Sequence, residues 1–98
     1  MKNYILVGKE IKEVHDLMEW AQWFEKADRQ VTKTDITDKI CVSTIFLGLD
    51  HSFDGGTPIL FETMIFGGEH DQYQERYATW DESEKGHQRA VELCNEKT

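Results

Sequence analysis

The stretch CVSTIFLGLDHSFDGGTPILFETMIFGG, Cys41 to Gly68, decides the fold. It holds two apolar runs separated by a loop of glycine, aspartate and proline, Asp50 to Pro58, which reads as two strands folded back on each other. In the first run, Lys39 to Leu49, alternation sends Cys41, Ser43, Ile45 and Leu47 one way and Val42, Thr44 and Phe46 the other. In the second, Ile59 to Phe66, Leu60, Glu62, Met64 and Phe66 oppose Phe61, Thr63 and Ile65. Both faces of both runs are largely apolar, so these are central strands. Gly67 and Gly68 end the second run by making a turn or bulge cheap.

Outward from this hairpin, weaker extended segments flank it on both sides. Gln30 to Ile36 is threonine-rich and turns at Thr37 and Asp38 into the first central strand, while Tyr73 to Thr79 alternates Tyr73, Glu75 and Tyr77 with Gln74 and Arg76. Near the start, Lys2 to Val7 and Glu10 to Val14 are short extended pieces about a Gly-Lys turn. Two helices carry start signals. Asp16 with Glu19, and Thr79 with Glu82, have the spacing of a capping box. The first helix, about 16–28, lines up Leu17, Trp20, Ala21, Phe24 and Ala27 in an apolar stripe that Trp23 widens. The second, about 80–95, presents Trp80, Ser83, His87, Ala90, Val91 and Cys94 along one side. Gly86 inside it costs about 1 kcal/mol relative to alanine, which predicts a close approach of helix backbone to sheet. The sum is one α+β domain over residues 1–98, an antiparallel sheet of four to five strands with two helices. If both helices cover one face of the sheet, the second apolar face stays open and favours a homodimer; if they split between the faces, a monomer suffices.

Composition narrows the function classes. The chain has 98 residues, 31% of them charged, and a net charge of −8 with no basic run. Long nucleic acids are held by phosphate neutralisation, so they are poor partners for such a chain. A small anion remains accessible through two or three local cations. No apolar run reaches the roughly 18 residues of a membrane span, and the start, MKNYILVGKEIKEV, lacks the sustained apolar region of a signal peptide. A cytoplasmic protein with no membrane partner is therefore expected. Cys41 and Cys94 fit neither a CxxC pair nor a zinc pattern and read as free thiols at half-buried positions.

Three segments, VSTIFLGLDH (Val42 to His51), LFETMIFGG (Leu60 to Gly68) and ERYATW (Glu75 to Trp80), followed by Gly86 and His87, carry a resemblance. Together with DLMEWAQWFEKADRQV, Asp16 to Val31, they resemble a widespread group of small proteins encoded by tailed phages and prophages. The likeness spans about three quarters of the chain. One departure is Gly55-Gly56-Thr57-Pro58, where many relatives carry a second proline. The resemblance implies a phage origin and an accessory role in the host cytosol, and assigns no reaction.

Seven residues are candidates for ligand binding: Glu62, Asp50, His51, Trp23, Arg76, Trp80 and His87. Glu62 lies among apolar neighbours, where an unpaired carboxylate is expensive, and so requires a partner: Arg76 on the next strand, Thr44, Thr63 or a helix terminus. His51 beside Asp50 and His70 beside Asp71 fall near opposite ends of a hairpin whose eight-residue strand is roughly 26 Å long, too far apart to share one metal. No HxxxH or HxxE spacing supports a metal, and no nucleophile elbow, GxGxxG or P-loop lysine supports hydrolysis or phosphate transfer. No cofactor is implied. Trp20, Trp23 and Trp80 read first as core and core edge, since Trp20 and Trp80 fall on apolar stripes; Trp23, partly exposed at the edge of its stripe, could alternatively stack on a base, with Arg29, Arg76 and Arg89 as phosphate partners. The leading expectation is a non-catalytic phage accessory protein that binds, in its sharpest form an anti-defence protein sequestering a small nucleotide signal. The alternatives are an acidic inhibitor of a host protein and a small metal-dependent or acid/base enzyme using Glu62, His51 and Asp50.

Overall fold

The computed structural model describes residues 2–96. Its element order is β1 (Asn3–Val7), β2 (Glu10–Val14), α1 (Leu17–Lys26), β3 (Gln30–Asp35), β4 (Cys41–Phe46), β5 (Phe61–Phe66), β6 (Gln74–Tyr77) and α2 (Trp80–Asn95). The predicted α+β architecture is present, with the strands divided between two sheets. β3, β4, β5 and β6 form an antiparallel meander in that order, and β1 with β2 forms a separate hairpin. The hairpin is tied to the end of β4 by the Asn3–Leu49 bridge and by Tyr4 N–H donating to the Gly48 carbonyl at 2.8 Å.

Both helix starts follow from their caps. The Asp16 carboxylate accepts from the Met18 and Glu19 amides, and the Thr79 hydroxyl accepts from the Glu82 amide while its proton goes to the Glu82 carboxylate. Each satisfies donors that have no intrahelical partner. The two helices then diverge in how they pack. α2 buries Ser83, Gly86, His87 and Ala90 against all four strands of the meander. α1 lies on the β1–β2 hairpin and buries no residue completely. Its inner side is Trp20, Trp23, Phe24 and Ala27, whereas Leu17 is 65% exposed, Met18 66% exposed and Ala21 also in solvent. The expected stripe of Leu17 and Ala21 is corrected here. The helix is rolled so that the Trp20 indole N–H reaches the carbonyls of Tyr4 and Gly48, at 3.0 and 3.2 Å, and that tether turns Leu17 and Ala21 outward.

The covered face of the meander is layered by register. Phe46 pairs with Phe61, Thr44 with Thr63 and Val42 with Ile65, and all six are fully buried. The aromatic layer joins Tyr4, Leu60 and Tyr77 under the hairpin and α1, while the aliphatic layer joins Ala90 under α2. Leu60, expected on the Glu62 side, precedes β5 and sits in the aromatic cluster. Gly86 is explained by the same packing, because a Cβ there would lie 2.0 Å from the Tyr77 hydroxyl and 2.1 Å from its ring carbon Cζ. Past β5, Gly67 takes φ +89° with the Lys39 carbonyl 2.0 Å from where a side chain would start, so only glycine fits the turn.

Hairpin, α1 and α2 all lie on the Phe46, Thr44 and Val42 side. Among the described residues, nothing covers the opposite face. Its rows, read across the strands, are Asp35–Cys41–Phe66, Lys33–Ser43–Met64–Gln74 and Gln30–Ile45–Glu62–Arg76.

Candidate functional site

The loop between β4 and β5 leaves from the Glu62–Arg76 end of the uncovered face. Its neck is laced shut. The Asp50 carboxylate accepts from the Ser52 amide at 2.8 Å, the Ile59 amide at 3.0 Å and the Ser52 hydroxyl at 3.0 Å, and the His51 amide donates to the Ile59 carbonyl at 3.0 Å. These amides hold the Asp50 carboxyl below the usual carboxylate range, so it stays ionised and its lone pairs are committed to the loop. Farther out, Asp54 caps the Gly56 amide at 2.9 Å. This bracing presents Phe53 at the loop tip, 100% exposed. His51, Ser52, Phe53, Asp54, Thr57, Ile59 and Arg76 line an open cavity of about 580 Å³.

Arg76 links this cavity to the sheet. It stands directly across from Glu62, and its Nε donates to the Glu62 Oε2 at 2.9 Å, with Gln74 donating to the same oxygen at 2.5 Å. The expected partner of Glu62 is thus Arg76, while Thr44 and Thr63 point to the other face. The carboxylate side chain is 11% exposed beside Ile45, Met64 and Phe66, which with Ser43 line a shallow cleft of about 100 Å³. Only Nε of Arg76 is engaged by this pair, so its terminal N–H groups remain for the cavity side.

The seven sequence candidates separate into two groups. Glu62, Arg76, Asp50 and His51 gather at the loop end of the uncovered face. Trp23, Trp80 and His87 lie on the covered face instead. Trp23 meets Phe46 edge-on at 5.8 Å and Trp80 meets Phe61 at 6.2 Å, as parts of one aromatic row. A single pocket built from all seven does not form. The other arginines have structural partners: Arg29 lies over the Phe24 ring and donates to the Phe46 carbonyl, and Arg89 pairs with Glu75. His70 lines a separate cavity of about 180 Å³ with Cys94 and Leu93, and Asp71 caps the Gly67 amide. Cys41 and Cys94 are free thiols, and burial pushes Cys94 up.

His87 has an environment of its own. Its Nδ1 is 2.8 Å from the Thr44 hydroxyl and its Nε2 is 2.8 Å from that of Thr34, and Thr44 is 2.5 Å from Thr63. Hydroxyls donate or accept as needed, so a neutral imidazole is satisfied at both nitrogens. Burial, with no carboxylate in the network, lowers the His87 pKa below the ordinary histidine value. Nearby the Tyr77 hydroxyl is buried and has Thr63 and Glu75 close by, but no partner in hydrogen-bonding geometry, and burial pushes its pKa up to about 12.

Two features of the structure escaped sequence reasoning. Phe53 is one, and its signal was a large aromatic inside a turn-forming SFDGG segment, where no packing periodicity accounts for it. The other is the threonine set around His87, whose members are 43 and 53 residues away in the chain. Among the described residues, no group of three or more His, Cys, Asp or Glu side chains is arranged to hold a metal, and no helix is long and apolar enough to cross a membrane. No protein-family model, curated protein or solved structure matches this chain.

Proposed function

We propose that the protein acts by binding a small phosphorylated aromatic molecule, of nucleotide class, in the loop cavity at the end of the uncovered sheet face. The observation that carries this reading is an unburied aromatic, Phe53, held on a braced loop beside His51 and the free guanidinium edge of Arg76. An exposed ring offers a base a stacking surface, and a guanidinium with a histidine offers phosphate charge-assisted donors. The cavity, at about 580 Å³, is within the size range of small-molecule sites. Binding is favoured over turnover because the carboxylates a reaction would draw on are already spent, Asp50 on three loop donors and Glu62 on Arg76 and Gln74. The resemblance to a phage-encoded group supports an accessory role in the host cytosol, and sequestration of a nucleotide defence signal is the form of binding that joins the two lines.

Thermal unfolding against a panel of mononucleotides, dinucleotides and cyclic nucleotides, with and without chelator, tests this. A true ligand raises the melting temperature by mass action, by an amount set by its concentration relative to Kd. The response should survive chelator and vanish in Phe53→Ala, which removes a side chain with no folded-state contacts to lose. Stabilisation by divalent metal alone would favour the enzymatic alternative. Silence across the panel, with capture of a host protein instead, would favour the inhibitor.

A further inference from the structure

We propose that the loop cavity selects phosphodiesters, which carry one negative charge per phosphate, over terminal phosphate monoesters, which carry close to two near neutral pH. This rests on the nucleotide reading and narrows it to a class: nucleotides whose phosphate is bridged on both sides, either cyclic or joining two nucleosides. The ground is the supply of donors and charges around the cavity. Arg76 is the one permanent cation among the lining residues. Its Nε–H is committed to Glu62, which leaves the N–H groups of its two terminal nitrogens for a ligand. Placed side by side, those groups match the two unbridged oxygens of a phosphodiester as a bidentate pair. His51 supplies one further ring donor.

A second negative charge finds no counterpart. Asp54 lines the same cavity, and the Gly56 amide at 2.9 Å caps its carboxylate without cancelling its charge. At the loop neck Asp50 is ionised, and it too is held chiefly by backbone amides. Glu62 already shares the Arg76 charge. One guanidinium thus stands among three carboxylates, in a chain whose net charge is −8. Short charge-assisted hydrogen bonds let a local cation hold one anionic charge against such a field, whereas the surplus charge of a monoester meets only repulsion. Two like unit charges about 4 Å apart weaken binding about fivefold even at the dielectric of water. The Phe53 ring does not distinguish the two ligands, since the base it would stack is the same in both. Phosphate charge is what separates them.

The test is isothermal titration calorimetry on the full chain at neutral pH and low salt, with adenosine, AMP, cyclic AMP and the dinucleoside phosphate ApA, and with the guanine series alongside. For the base that binds, a bridged phosphate should bind at least about fivefold tighter than the terminal monophosphate. The nucleoside should bind more weakly than the bridged phosphate, and Arg76→Gln should bring the bridged phosphate down toward it. Asp54→Asn keeps the acceptor for the Gly56 amide and removes the charge, so it should narrow the preference by strengthening the monophosphate most. Equal or tighter binding of the monophosphates overturns the proposal and leaves the nucleotide reading standing. A preference that Asp54→Asn leaves unchanged does the same. A nucleoside that binds as tightly as the bridged phosphate removes phosphate recognition altogether, and binding by no member of either series overturns both readings.

Discussion

The two faces of the β3–β6 meander are built from the same strands, yet they handle their polar groups differently. On the covered face Thr44, Thr63 and His87 are sealed beneath α2, and the network is neutral, made of hydroxyls and an uncharged imidazole. On the uncovered face the polar centre is a charge pair, Glu62 with Arg76, next to apolar residues that none of the described elements covers. Full burial penalises a charge by several kcal/mol, so the sealed centre uses groups that can be satisfied without one, and the carboxylate of that face, Glu75, sits partly exposed and paired with Arg89. Partial exposure leaves water to share the cost, so the open face tolerates ions. The covered face is organised for stability, and the open face and its loop are where the proposed binding would take place.

Core truncation gives the widest contrast between the faces. Phe61→Ala should cost about 4 kcal/mol by emptying the centre of the aromatic layer, whereas Met64→Ala, half-buried on the free face, should cost about 1 kcal/mol in dilute protein. Urea titration reads both, and equal losses would mean that the free face is covered in the monomer. Next in size, Gly86→Ala should lose about 3 kcal/mol despite its better helix propensity, because the new methyl overlaps the Tyr77 ring. A neutral or stabilising outcome would place α2 farther from β6 than described.

Polar substitutions probe the comparison more finely. Thr44→Val leaves His87 Nδ1 and the Thr63 hydroxyl without a shared partner and should cost about 2 kcal/mol. Glu62→Gln should cost about 1 kcal/mol or less, since Arg76 is more than a third exposed and the pair is screened. Reversal of that order would show the ion pair, not the threonine network, to be the structural centre. The smallest effect is a pH slope. Because the folded state holds His87 neutral, its pKa lies below the unfolded value of 6.5 and the unfolded chain binds more protons in that interval. Stability contributed above pH 6.5 should decline as pH falls from there toward the folded pKa. Replacing His87 by Gln should flatten this part of the curve relative to the unaltered chain.

Local order was plainly legible. Asp16 and Thr79 mark both helix starts, alternation over Cys41 to Phe46 and Phe61 to Phe66 gives the correct two faces, and Gly86 was rightly read as a close approach. Arg76 stood among the partners expected for Glu62, beside Thr44, Thr63 and a helix terminus, and the register that sets it directly across decided between them. The site was less so. Trp23, Trp80 and His87 have the residue types of a binding pocket, but a tryptophan in a pocket and one in a core follow the same helical period. Phe53 breaks the period, which is why it stands out only once its full exposure is known.

By itself the amino-acid order determined the strands, the helices and their caps, since each depends on residues a few positions apart whose backbone preferences and side-chain spacing are local. Tertiary structure alone decided that α1, α2 and the β1–β2 hairpin share one side of the meander, that Leu17 and Met18 turn outward, and that His87 meets Thr34 and Thr44. Those outcomes depend on how distant segments divide a limited apolar surface among themselves, and both faces of the central strands were greasy enough to have been chosen.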